Sequence, residues 1–266
     1  MLKDITLGQY FPIESPLHKM DPRTKILGLI FMLAAIFLAD GAIGYLAITL
    51  FTILVIALSK VPFKVYFKGL KPIWFIIIFT GILNLFLTPG TKIYINDFST
   101  GITYEGVILA GKMALRLILL ILSSSALTYT TSPISLTDGI EKLLMPFSKI
   151  GLPAHELAMM MSIAIRFIPT LIEETEKISK AQQARGADFD SGNVIKRAKA
   201  LIPMLVPLFI SAFRRADDLA VAMESRCYRG GSGRTRLNPI RFALVDLWSA
   251  LVFALFFSLI IVLRFV

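Results

Sequence analysis

"FALVDLWSALVFALFFSLIIVL" runs from Phe242 to Leu263, 22 residues that are almost wholly apolar. As a helix rising 1.5 Å per residue the stretch would measure about 33 Å. That matches a bilayer hydrocarbon core of about 30 Å, so the stretch reads as a transmembrane helix. Whole-chain composition agrees. Of 266 residues 56% are hydrophobic and 17% charged, with mean hydropathy +0.73. A soluble domain has no use for that much apolar surface.

Four more stretches qualify or nearly do. The first, about Pro22 to Ala39, follows Asp21, a helix-capping residue, with proline at the first helical position. The turn Asp40-Gly41 leads to a second, about Ala42 to Leu58. A third covers about Pro72 to Thr88 and a fourth about Val107 to Leu127. The outer loop "TPGTKIYINDFSTGITYEG", Thr88 to Gly106, alternates weakly and suits a short hairpin.

Basic residues orient these spans. Lys3, Lys19, Arg23 and Lys25 precede the first, and Lys60, Lys64, Lys68 and Lys71 separate the second from the third. Only Lys92, beside Asp97 and Glu105, lies between the third and fourth. From Tyr129 to Arg241 there are 16 Lys+Arg and 11 Asp+Glu. The positive-inside rule puts the N-terminus, the second loop and this long segment in the cytoplasm, and five spans put the C-terminus outside. The fold class expected is an all-α integral membrane protein. Its membrane domain comprises residues 1–131 and is completed by 242–266, with a helical coupling domain at 132–241. The first 22 residues lack a continuous apolar core, so no cleaved signal peptide is expected. One cysteine, Cys227, forbids an intrachain disulfide, and His18 and His155 stand apart, without the spacing of a zinc site.

Two charges fall inside the fourth span. Lys112 and Arg116 share a helix face, and an intramembrane charge marks a functional candidate. Equally, the span can begin later, with both side chains snorkelling outward.

The segment from Ser132 to Arg241 carries three helical patterns. A short one runs from "TSP" to about Lys149. A second starts after Pro153 and reaches Arg185, where Gly186 can stop it; a third spans about Val194 to Arg226. Pro169 interrupts the second, and Pro203 and Pro207 the third. Each long helix has an apolar body, "LAMMMSIAIRFI" (Leu157–Ile168) and "LIPMLVPLFISAF" (Leu201–Phe213), too short to span but suited to burial against protein or the membrane face. The distal halves, "EETEKISKAQQAR" and "RRADDLAVAMESR", turn polar. Glu173–Lys177 and Glu176–Lys180 stand in the favourable order on a solvated helix. An arginine stands at each tip. A single arginine there is explained by the helix dipole; two on matching constructions ask for a partner.

Three stretches in this order resemble the transmembrane T component of energy-coupling factor (ECF) transporters, the EcfT family. They are "SPLHKMDPRTK" (Ser15–Lys25), "ALRLILLILSSSALTYTTSP" (Ala114–Pro133), and the two X-Arg-X tripeptides Ala184-Arg185-Gly186 and Ser225-Arg226-Cys227. They follow one another in order from Ser15 to Cys227, so the likeness extends over nearly the whole chain. Cys227 departs from the glycine that the family's pattern favours, which bears on the backbone just after Arg226. The resemblance implies a non-catalytic scaffold. Its coupling helices bind two cytosolic ABC-type ATPases, and other surfaces bind a membrane substrate-binding S component. ATP and Mg belong to the ATPases, and this chain binds no cofactor. Arg185 and Arg226 would each enter a groove on one ATPase. A guanidinium suits that role, since it stays charged and engages carboxylates bidentately. Met159, Met160, Met161, Met204, Leu205 and Leu208 are candidates for packing against the S component; ordinary packing between the helices accounts for them equally.

"GVILAGKM", Gly106 to Met113, nearly satisfies a phosphate-binding loop. Met113 stands where a hydroxyl should hold magnesium, however, and no strand precedes it. Glu173, Glu174 and Glu176 read as a solvated face rather than an acid/base pair. A self-sufficient secondary transporter would show ionisable or broken-helix features in several spans, where only Arg116 and Asn84 offer any. A lipid-modifying enzyme would need clustered acidic or histidine residues.

Overall fold

The computed structural model describes residues 9–95, 98–187, 189, 193–230 and 242–265. Lys3, Asp97, Asp188, Asp190, Arg234, Arg236 and Arg241, which enter the charge reading, lie outside them. The described residues form ten α-helices and one two-stranded sheet.

Capping chemistry sets the first helices. Ser15 Oγ accepts the His18 N–H at the start of α1 (Pro16–Lys19), and Asp21 accepts the Arg23 N–H at the start of α2 (Pro22–Leu38). Asp40 takes the Gly41 N–H and opens α3 (Gly41–Ser59), which ends on Lys60 in the left-handed region. Helix α4 (Phe63–Leu70) continues through a tight turn, Lys71–Ile73, into α5 (Trp74–Leu87). Lys64 and Lys68 therefore sit on helix, and Lys71 in the turn after it, rather than in the loop expected. The short hairpin is present, as β1 (Lys92–Ile95) and β2 (Phe98–Thr103), antiparallel. Thr103 then caps α6 (Tyr104–Thr130). After α7 (Pro133–Leu144) and the turn Met145–Ile150 come the two long helices, α8 (Ala154–Ala184) and α9 (Val194–Ser225), and later α10 (Leu244–Phe265). The proline positions leave both long helices continuous.

Five segments are long and apolar enough to cross a bilayer: Gly41–Ser59, Phe63–Leu87, Tyr104–Thr130, Ala154–Ala184 and Leu244–Arg264. Four overlap expected spans. Helix α2, expected as the first span, has 17 residues and falls just short by length. Helix α8, expected among the coupling helices, enters at hydropathy 1.3, the lowest of the five. Its apolar half carries the average, because the helix runs unbroken through Pro169.

By compactness the chain divides inside α7. One unit holds the described residues up to Gly139 together with α10; the other begins at Ile140. The expected boundary at 131/132 falls earlier than this. The reason is local: Thr137 and Gly139 are buried, and a Cβ at Gly139 would come within 2.9 Å of Pro22.

In the first unit α2, α3, α6 and α10 meet through Ala35, Ile36, Tyr45, Ile48, Leu119 and Ile260. Phe51 stacks on Phe256 at 4.0 Å, and Gly28 lets α2 approach the ring of Phe253. Lipid tails are as apolar as these side chains, so close packing holds such helices rather than removal of apolar surface from water. In the second unit α8 and α9 run antiparallel. Glu174 accepts from Ser211 and Arg215, and Gln182 Nε2 donates to the Pro203 carbonyl at 3.3 Å. That carbonyl is the one Pro207, lacking an N–H, leaves without its helical partner.

Candidate functional site

The two X-Arg-X tripeptides form the same backbone structure. Arg185 is the C-cap of α8, just after its last residue Ala184. The Gly186 N–H bonds the Gln183 carbonyl at 3.0 Å, and the Ala187 N–H bonds the Gln182 carbonyl at 2.9 Å. At the end of α9 the Cys227 N–H bonds the Glu224 carbonyl at 2.9 Å, and the Tyr228 N–H bonds the Met223 carbonyl at 3.0 Å. Both are Schellman ends, which require the residue after the cap to be left-handed. Gly186 has φ +88° and Cys227 φ +57°. The departure at Cys227 thus leaves the backbone shape intact, at the steric expense a Cβ meets there.

Arg185 and Arg226 are both exposed, and neither guanidinium bonds to the described residues. Their neighbours Ala184, Gly186, Ser225 and Cys227 are exposed as well. The two tips are not side by side. In the antiparallel register Arg185 lies level with Ala200, so Arg226 stands 26 residues further along α9, roughly 40 Å away on straight helices. The polar end of each helix lies along the apolar body of the other. The short connection after Arg185 carries the signal for this, since short links make antiparallel neighbours.

Met160, Met161 and Leu205 are exposed, whereas Met159, Met204 and Leu208 are half-buried. The rest of the uncovered face lies within the apolar stretch Leu201–Phe213. Ile202, Val206, Phe209, Ile210 and Phe213 on α9 are each more than half exposed, with the spacing of one broad helix face.

The first two resembling stretches meet in space. Lys25 Nζ donates to the Thr130 carbonyl at 2.9 Å and lies 3.3 Å from Thr131 Oγ1. Asp246, 2% exposed, accepts the Asp21 N–H at 2.6 Å and the Ala243 N–H at 2.8 Å. Asp21 also pairs with Arg23 at 2.8 Å, whose guanidinium covers the Phe242 ring at 3.9 Å. This polar knot ties the starts of α2 and α10 to the end of α6. Sequence reading missed Asp246, whose signal is a carboxylate in the first turn of an apolar helix.

The stretch Gly106 to Met113 lies wholly within α6, so no phosphate loop forms there. Lys112 reaches Asp40 at 3.3 Å and Arg116 reaches the Tyr45 hydroxyl at 2.8 Å, so both point toward the α2–α3 turn, as snorkelling predicts. His155 bonds Glu141 at 3.1 Å beside the start of α8.

Residues 14–237 match the CbiQ family model, described as cobalt transport protein. The chain is 56% identical to the energy-coupling factor transporter transmembrane protein EcfT of Ruminiclostridium cellulolyticum, over all of this chain and 99% of the relative. It is 54% identical to that of Acidaminococcus fermentans over 99% and 98%, and 56% identical to that of Clostridium kluyveri over 94% and 93%. With 54–56% identity to these relatives over 94% or more of its length, the chain belongs to the family of energy-coupling factor transporter transmembrane proteins, EcfT.

Proposed function

We propose that this chain, as the transmembrane energy-coupling component of an ECF transporter, holds two ABC-type ATPases by Arg185 and Arg226 and transmits their movement to an S component. The observation that carries the proposal is the pair of exposed arginines on identical helix ends at opposite ends of one antiparallel helix pair. Such a pair presents one fork of donors to each of two partners that change their separation. The glutamate-centred bonds between α8 and α9 let the pair act as one rigid piece. ATP and Mg reside in the ATPases, and this chain catalyses nothing. The uncovered apolar face of α9, with Met160 and Met161, is where an S component carrying a vitamin or trace nutrient packs. The distribution of lysine and arginine supports placing the N-terminus and residues 132–241 in the cytoplasm.

Replacing Arg185 and Arg226 by Ala, singly and together, tests this. We expect each single variant to weaken ATPase co-purification, and the double variant to lose uptake while remaining inserted and folded. Normal uptake by the double variant rules the proposal out.

A further inference from the structure

The first unit holds a second polar site, at the opposite ends of its helices from the Lys25–Asp246 knot. A cavity of about 230 Å³ is lined by Phe37, Asp40, Tyr45, Lys112, Arg116 and Arg264 among others. Three cations face one carboxylate, Asp40, whose Oδ1 accepts the Gly41 N–H and pairs with Lys112. Arg116 donates one Nη to Tyr45, but its Nε is buried and has no partner among the described residues. The rings of Phe37 and Tyr45 flank the guanidinium at 5.6 and 5.9 Å. A buried guanidinium donor without an acceptor is costly, so this cavity is built for an oxyanion.

We propose that the cavity binds the phosphate of an anionic membrane phospholipid. Three observations choose lipid over free phosphate. The site lies at the α2–α3 turn and in the last turn of α10, the level at which spans meet headgroups. Exposed Phe37 continues the cavity wall as apolar surface along which an acyl chain can run. Lys112 and Arg264 are surface cations around the mouth, where they can meet a headgroup phosphate. Arg116 Nε would donate to a phosphate oxygen, with Lys112 and Arg264 closing over the other oxygens. A choline headgroup would bring a fourth cation and be disfavoured.

Native mass spectrometry of the whole transporter complex tests this, with phosphatidylglycerol and phosphatidylcholine of matched chains as probes. We expect phosphatidylglycerol to be retained about ten-fold better, and Arg116→Gln to remove that preference. Arg116 bonds Tyr45, so the double variant Lys112→Gln/Arg264→Gln, at the mouth of the cavity, serves as a second arm. It should lower retention similarly with the complex intact. Equal retention of the two lipids, or unchanged retention in both variants, overturns the proposal. So does displacement of bound phosphatidylglycerol by millimolar inorganic phosphate, which assigns the cavity to the free anion. Retention that emerges only after the S component is removed also overturns it, because an acidic side chain of that partner then fills the site.

Discussion

Gly186 and Cys227 occupy equivalent left-handed positions with different side chains, and this permits an exchange experiment of opposite signs. In Gly186→Ala the new Cβ would meet nothing within 4 Å, so the whole effect is torsional. A left-handed residue with a Cβ costs about 1–2 kcal/mol, offset by roughly 0.5–1 kcal/mol because alanine has less freedom to lose on folding. The net is about 0.5–1 kcal/mol, or a two- to five-fold increase in local opening of the helix end. Cys227→Gly should do the reverse by the same factor, since Cys227 is exposed and its side chain contributes little packing. Hydrogen exchange at the Ala187 and Tyr228 amides reads the two ends directly, because each closes its Schellman turn. We expect faster exchange at Ala187 in Gly186→Ala and slower exchange at Tyr228 in Cys227→Gly. Unchanged exchange at Ala187, or faster exchange at Tyr228, would refute the claim that a left-handed residue shapes these tips.

The knot offers a sharper perturbation. Asp246→Ala strips the buried Asp21 N–H of its acceptor, a loss of about 1–3 kcal/mol, while Asp246→Asn keeps an acceptor oxygen and should lose less. Thermal unfolding of the purified protein should rank wild type, Asn and Ala in that order; an alanine variant as stable as wild type contradicts the assignment. His18 adds a pH dependence. Burial holds its pKa below the usual 6.5, against the opposing pull of its bond to the Phe11 carbonyl. The unfolded chain therefore takes up the proton first as pH falls. The stability contributed is full above about pH 6.5 and is lost as pH drops through the lowered folded value. Melting curves between about pH 7.5 and 5 should show that loss in wild type and its absence in His18→Gln.

What was legible in the sequence was local. Asp21-Pro22 and Asp40-Gly41 announce helix starts because a capping side chain acts within three residues of itself. Gly186 announces a helix end because few other residues adopt positive φ easily. The spans at Ala42, Val107 and Phe242 follow from runs of apolar residues, and the arginine tips from where the two long helices stop. Residue identity alone could not assign α8, because an apolar half averaged with a polar one resembles a marginal span. Nor could it place Lys112 and Arg116, whose partners Asp40 and Tyr45 lie about 70 positions away in the chain.

Tertiary structure decided the rest, and the reason is the same throughout. Lys25 meets Thr130 across 105 positions, and Asp246 meets Asp21 across 225. A hydrogen bond between residues so distant leaves no mark in either one's neighbourhood. The antiparallel register that sets Arg185 and Arg226 far apart rests on Glu174 finding Ser211 and Arg215, and Gln182 finding the carbonyl that Pro207 frees. Local steric and solvation preferences are written residue by residue; the satisfaction of buried donors and charges is a property of the packed chain, and only the packed chain reveals it.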